Sequence, residues 1–280
     1  METIRKSMTV PALRERRSAG PAITMLTCYD ACFAKVLDDC GVDVLLVGDS
    51  LGMVLQGHST TIPVKISDIS YHTASVARAN PKSLIVADLP FGSYQESPEL
   101  AYRNASTVLA AGAQMVKLEG GAWLAPTVEF LTTRSIPVCA HVGLTPQSIH
   151  ALGAYRVQGR DEYSAEQIIS DSKTLESAGA EMLVAELIPT ELGRKLTSSL
   201  LIPTIGIGAG PHMTGQVLVL HDMLGLSSRK RPRFVKNFLA SSGDIATAVT
   251  QFVTEVRSGA FPASEHSFDQ VAELPRLAVV

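Results

Sequence analysis

Pro98-Glu99-Leu100-Ala101-Tyr102-Arg103-Asn104-Ala105-Ser106-Thr107-Val108-Leu109-Ala110-Ala111-Gly112-Ala113-Gln114-Met115-Val116-Lys117-Leu118-Glu119 is the stretch that decides the fold. From Pro98 to Ala111 it is Ala-rich with apolar residues at helical spacing. Gly112 tolerates the left-handed conformation that stops a helix. The short apolar run Gln114–Leu118 follows at once and reads as a buried strand, closing on Glu119. The same helix-to-strand junction recurs at Cys40-Gly41-Val42 and Ala178-Gly179-Ala180.

Working outward, eight such runs read as strands: Ile23–Cys28, Asp43–Val47, Ser83–Ala87, Gln114–Leu118, Pro137–Ala140, Met182–Ala185, Pro203–Ile207 and Gln216–Leu220. Helical spacing is clearest at Ala31–Cys40, Ser67–Ala79, Pro98–Ala111, Pro126–Arg134, Ala165–Ala178 and Glu191–Leu200. Repeated βα units imply a parallel sheet, and eight of them predict closure into a (β/α)8 TIM barrel, with a doubly wound open sheet as the competing arrangement. No linker or low-complexity segment interrupts the pattern, so residues 1–280 read as one domain. A short polar segment precedes the barrel, and the tail adds helix at Phe234–Leu239 and Asp244–Arg257 before a poorly ordered end in the last twenty residues.

Bulk properties exclude several function classes. The 280 residues carry a net charge of −3, and the densest basic cluster, Arg229 to Arg233, is short and broken by Pro232, which argues against a nucleic-acid partner. Cys28, Cys32, Cys40 and Cys139 form no paired CxxC units, as expected of reduced thiols. No apolar run reaches the ~18 residues of a membrane span, and Met1–Gly20 lacks the apolar stretch of a secretory signal. The expectation is a cytoplasmic protein with no membrane partner.

In a (β/α)8 barrel the active site lies at the C-terminal strand ends. There the sequence places Asp49 and Ser50, Asp88, Lys117 and Glu119, His141, Glu186, and His221-Asp222, with Gly206-Ile207-Gly208-Ala209-Gly210 after strand seven. Carboxylates converging on one mouth repel and raise one another's pKa values, a cost that a divalent cation removes. Asp49, Asp88 and Glu119 are hard oxygen donors with no zinc-like Cys or His spacing beside them, which favours magnesium or manganese. Each acid alone could equally be a strand-end cap.

Lys117 shares a strand face with Glu119 and could meet a substrate carboxylate, form an internal ion pair or serve as a Schiff-base amine. Glu186 follows an apolar run, where an ionised carboxylate must be exposed, paired or used as a base. An ion pair with Lys117 or an arginine is the bland alternative. His141 reads equally as a substrate donor or a satisfied core residue. The glycine run resembles a dinucleotide loop only superficially, since it lies late in the chain with Pro211 behind it. Ser50–Lys65 reads as a lid, within which His58 is structural or solvated.

Val47-Gly48-Asp49-Ser50-Leu51-Gly52-Met53 with Gln56-Gly57-His58, Ala87-Asp88-Leu89-Pro90-Phe91, Val116-Lys117-Leu118-Glu119-Gly120-Gly121, His141-Val142-Gly143-Leu144-Thr145-Pro146-Gln147, Gly206–Gly210 and Lys236-Asn237-Phe238 occur in one order from about Thr24 to Phe268. Together they resemble the 3-methyl-2-oxobutanoate hydroxymethyltransferase family, also called ketopantoate hydroxymethyltransferase. The resemblance implies a barrel similar to the phosphoenolpyruvate/pyruvate superfamily. It implies magnesium on Asp49, Asp88 and Glu119, a 2-oxo acid against Asp49, Ser50, Asp88 and Lys117, and Glu186 as proton acceptor.

The implied reaction is hydroxymethyl transfer from 5,10-methylenetetrahydrofolate to 3-methyl-2-oxobutanoate (α-ketoisovalerate) through a magnesium-stabilised enolate. The product is 2-dehydropantoate (ketopantoate), for pantothenate synthesis, made by a cytoplasmic homo-oligomer, often a decamer. Two other readings compete: a metal-dependent lyase or aldolase on another 2-oxo acid, and a catalytically silent barrel acting as a binding protein. Such lyases usually bring a catalytic cysteine in a loop, whereas Cys139 lies inside Pro137–His141.

Overall fold

The computed structural model describes residues 5–226 and 231–269. Eight parallel strands close into a barrel in the order β1 to β8: Ile23–Thr27, Val44–Val47, Leu84–Asp88, Met115–Glu119, Val138–Gly143, Met182–Glu186, Thr204–Ile207 and Gly215–Leu218. β8 pairs back onto β1 through Met25 and Val217. The expected closed barrel is therefore found, and the open sheet is excluded.

The main outer helices are α2 (Ala31–Asp39), α4 (Ile66–Ala77), α5 (Pro98–Ala110), α6 (Ala125–Thr132), α8 (Glu162–Ser177), α9 (Thr190–Ser199) and α12 (Ile245–Ser258). Single helical turns lie between them at α3 (Leu51–Val54), α7 (Ile149–Leu152), α10 (Leu220–Met223) and α11 (Leu239–Ser242). Start signals are local: the side chains of Asp30, Ser97, Asp161 and Asp244 each accept from a backbone N–H in the first turn of α2, α5, α8 and α12. The Asp161 cap starts α8 three residues earlier than its apolar spacing suggests. Gly112 ends the α5 unit at φ +117°, where an added Cβ would stand 2.4 Å from Ala77 Cβ, so both conformation and packing require glycine.

Part of the polar N-terminal segment packs on the barrel. Val10–Ser18 forms helix α1, which lies under the N-terminal ends of the strands. Leu13 is buried there, Arg16 reaches Asp43 just before β2 (3.5 Å), and Arg14 pairs with Glu181 just before β6. Arg17 donates to the carbonyls of Thr197 and Leu200 at the end of α9 (2.8 and 3.0 Å). The bottom of the barrel is thus closed by guanidinium groups.

Three further expectations are corrected. Phe234–Leu239 is not a helix. Phe234, Val235 and Phe238 are buried from an irregular segment after Pro232, and Phe238 packs edge-on against Phe252 and Phe261. β8 ends at Leu218 rather than Leu220, because the chain turns into α10 and the Leu220 N–H donates to Thr27 Oγ1 (3.0 Å). The tail as far as Phe268 is packed, with Phe261, His266 and Ser267 buried. Residues 270–280 of the expected loose end, and Arg229 and Lys230 of the basic cluster, lie outside the described residues.

Candidate active site

The strand register brings the expected residues into one layer. Asp88 ends β3 opposite Lys117 of β4, Glu119 stands opposite His141 of β5, and Glu186 ends β6 opposite Gly143. Asp49 and Ser50 follow β2 directly. Gly48 permits their approach, since a Cβ there would lie 3.0 Å from Ser50 Oγ and 3.5 Å from Asp88 Oδ2. All these side chains line one cavity of about 800 Å³ at the C-terminal mouth.

Asp49, Asp88, Lys117, Glu119 and His141 are each no more than 4% exposed. The Asp49 N–H donates to Asp88 Oδ2 (2.9 Å), and Lys117 Nζ stands 3.1 Å from Asp88 Oδ1 and 3.6 Å from Glu119 Oε1. Burial, with Asp88 and Glu119 nearby, pushes the Asp49 carboxyl well above its usual range. Asp88 is also raised by burial, although Lys117 opposes it. Burial would lower the Lys117 ammonium, but Asp88, Glu119 and Asp49 outweigh it, so it stays charged. Glu119 is the exception among the three acids. Burial raises it, yet His141 and Lys117 bring it below the usual value.

His141 stands between the floor and Glu186. Its Nδ1 lies 3.3 Å from both Lys117 Nζ and Glu119 Oε1, and its Nε2 lies 3.3 Å from Glu186 Oε2. The ring therefore bridges the acidic floor to Glu186, and its ion partners carry its pKa up to about 9 against burial and Lys117. Glu186 pairs with this histidine rather than with Lys117, and keeps 14% of its side chain open toward the cavity. The next residue, Leu187, sits at φ +46°, uncommon for a branched side chain. Its N–H and carbonyl are tied to Ile207 and Gln158 (2.9 and 2.8 Å), which holds that turn.

Residues that sequence reasoning missed complete the floor. Gln147 is buried. It donates through Nε2 to Asp49 Oδ2 (2.9 Å) and the Leu89 carbonyl (3.0 Å), and its backbone N–H reaches Glu119 Oε2 (3.0 Å). The Tyr94 hydroxyl lies 2.7 Å from Gln147 Oε1 and accepts from the Glu119 N–H (3.1 Å). Tyr29 holds Ser50, hydroxyl to hydroxyl, at 2.9 Å. Gln147 was visible only as part of a quoted block. No pattern announced Tyr29 or Tyr94.

The chain matches the family model described as ketopantoate hydroxymethyltransferase over residues 7–264. It is 60% identical over 267 residues to the 3-methyl-2-oxobutanoate hydroxymethyltransferase of Paraburkholderia xenovorans (strain LB400), covering 95% of this chain and 98% of the relative. This chain belongs to the ketopantoate hydroxymethyltransferase family. The enzyme of the same name from Burkholderia multivorans (strain ATCC 17616 / 249) is 58% identical with the same coverage. Among solved structures, 2,3-dimethylmalate lyase, a PEP mutase/isocitrate lyase superfamily member, matches with a TM-score of 0.54 at 14% identity, over 78% of this chain and 82% of that one. That likeness shows the shared barrel.

In this chain the barrel carries a floor rich in carboxylates. Among the described residues no three His, Cys, Asp or Glu side chains form a preformed metal cage, and the Glu119 carboxylate is engaged by the Gln147 N–H and His141. Magnesium does not require such a cage, since it is commonly held by one or two carboxylates and keeps waters. The donor set fits that habit: Asp88 Oδ1 is buried without an aligned hydrogen bond, and Asp49 is burdened by its neighbours' charge. Cys139 is not a loop cysteine of the lyase kind, because it is buried inside β5 and its thiol is pushed up to about 12 by burial. The expected lid segment is anchored by buried Leu51, Gly52, Thr61 and Val64, leaving 55–59 exposed.

Proposed function

We propose that this chain transfers a hydroxymethyl group from 5,10-methylenetetrahydrofolate to 3-methyl-2-oxobutanoate, forming 2-dehydropantoate at the first step of pantothenate biosynthesis. The observation that carries this reading is the division of the floor. Asp49, Asp88 and Lys117 stand together for a 2-oxo acid, while Glu186 lies apart behind His141 with one face open to the cavity. The cavity of about 800 Å³ is in the range of sites for drug-sized ligands, which leaves room for a second, larger substrate.

In this reading Lys117 and Ser50 orient the substrate carboxylate, and Tyr29 fixes the Ser50 hydroxyl. Asp49 and Asp88, with Glu119 beside them, would hold magnesium, which supplies Lewis acidity at the keto oxygen and so acidifies the C3 proton. Glu186 accepts that proton, and His141 holds its carboxylate in place. C3 then bonds to the donor's methylene carbon as the first of its two carbon–nitrogen bonds breaks, that nitrogen taking up the proton lost from C3, and water displaces the second nitrogen and leaves its other proton there. Water supplies the hydroxyl, and tetrahydrofolate leaves. A cytoplasmic homo-oligomer, decameric as in the resembled family, belongs to the same proposal, and light scattering of the purified protein measures it.

The test is to mix the protein with α-ketoisovalerate in deuterated water and follow the C3 proton by NMR, with and without magnesium, before adding the folate. Magnesium-dependent loss of the signal, then ketopantoate on adding donor, is expected. Absence of ketopantoate would remove the substrate assignment and leave the lyase or silent-barrel reading.

A further inference from the structure

The acidic floor explains the bottom of the cavity but not its rim. Arg156 and Arg160, in the segment between α7 and α8, and Arg233, beyond β8, all line the same cavity and are exposed. Their other contacts are slight. Arg156 donates to the Leu152 carbonyl at 3.0 Å, and Arg233 to the Glu265 carbonyl at 2.9 Å, with Phe268 beneath its guanidinium. Among the described residues none of the three is paired with a carboxylate, although Asp161 stands next to Arg160 in sequence. Asp161 instead caps α8 through Ser164. Asp222 lines the cavity as well, from α10.

Three unpaired guanidiniums around a cavity that is acidic at its base are placed for a ligand whose outer end is anionic. Met53, Val54, Leu226 and Phe234 line the same cavity and offer apolar surface to a flat ring system. Resting on the donor assignment above, we infer that Arg156, Arg160 and Arg233 form the docking rim for the glutamyl carboxylates of the folate donor. Donor affinity then rises with the number of glutamyl units, while the 2-oxo acid is bound independently at the floor.

Calorimetric titration of the magnesium- and oxo-acid-loaded enzyme with tetrahydropteroyl monoglutamate and triglutamate tests this. The triglutamate binds more tightly at about 0.05 M salt, and the difference shrinks at about 0.5 M as rim charges are screened. Arg160→Gln and Arg233→Gln each weaken triglutamate binding about two- to fivefold, the scale of exposed ion pairs. The triple Gln variant binds both compounds alike. Arg160→Lys retains the preference that Arg160→Gln reduces, which separates charge from folding, and Arg103→Gln on α5, remote from the cavity, changes nothing. Equal affinity for the two compounds in the wild type, or a preference that survives the triple substitution, overturns the rim. Failure of both compounds to bind an enzyme that still exchanges the C3 proton overturns the donor assignment itself, and the rim with it.

Discussion

Gln147→Met is the most informative single change at the floor. Methionine keeps the length and approximate volume of the side chain but removes both amide atoms. The backbone N–H to Glu119 Oε2 remains, so Glu119 serves as an internal control. What is lost is the donor to Asp49 Oδ2 at 2.9 Å, the donor to Leu89 O at 3.0 Å and the acceptor for the Tyr94 hydroxyl at 2.7 Å and for Gln95 Nε2 at 3.2 Å. A hydrogen bond to a charged group contributes about 1.5–3 kcal/mol, and the neutral ones about 0.5–1.5 kcal/mol each. If the first term is spent on orienting Asp49 for metal, the magnesium activation constant rises about 10- to 150-fold, at ~1.4 kcal/mol per decade. The other three terms appear as lost stability, about 1.5–4.5 kcal/mol together. The assay is initial rate against free magnesium at saturating substrates, with a thermal melt alongside. An activation constant within about twofold of wild type, in a variant that melts lower by the amount just given, would show that Gln147 packs the floor without orienting Asp49.

Further outcomes are expected. Glu186→Gln keeps magnesium and oxo-acid binding but slows turnover about 10²-fold or more, the scale of general-base catalysis, and near-normal turnover would remove Glu186 as the base. Asp38→Asn has a pH signature at the barrel bottom. Burial raises that carboxyl, but the backbone N–H of Lys82, the hydroxyl and N–H of Ser83 and the Arg5 guanidinium outweigh it and leave the folded value lowered. A depressed carboxylate stabilises above its unfolded value of about 3.9 and loses that contribution as pH falls through the folded value. The stability gap between wild type and Asp38→Asn is therefore widest near neutrality and narrows in acid, as urea midpoints at several pH values would show. Alkylation near neutral pH labels exposed Cys32 first and spares buried Cys28 and Cys139, whose thiols burial pushes up to about 12, until the chain unfolds.

How much of this was readable depended on whether a residue sat in a periodic element. A strand buried on both faces is an apolar run, and a charge at its end must be accounted for, so Asp88, Glu119 and Glu186 stood out. Gln147 did not, because it is a neutral residue in a short turn, and its partner Asp49 is 98 positions away. Only closure of the barrel brings them together. The irregular segment at Phe234 misled for the opposite reason. Phe234, Val235 and Phe238 imitate helical spacing, but their burial is satisfied from an irregular chain locked by the Phe252 and Phe261 rings. At the N-terminus the polar composition hid a helix that buries only Leu13 fully, with Val10 and Ala12 packed half-buried beside it, because its arginines find acids and carbonyls on the barrel.

The two ends of this barrel show how one composition yields one reactive face. At the bottom, Asp38 meets Arg5 at 2.8 Å and Asp43 meets Arg16 and Arg257 at 3.5 and 3.2 Å, while Thr24 donates to Asp43 through its N–H and hydroxyl. Asp38 and Asp43 each have a guanidinium, so little of their charge remains to attract a ligand. At the top, Asp49, Asp88 and Glu119 share Lys117 and His141, and the shortage of positive charge is recorded in the raised carboxyls of Asp49 and Asp88. Pairing each of those acids with its own arginine would relieve that shortage and also remove the pull on a cation, since the guanidinium would already neutralise the carboxylate's charge. The barrel's overall charge is nearly balanced; what separates its inert end from its reactive one is that the arginines are spent at the bottom and on the rim, and withheld from the floor.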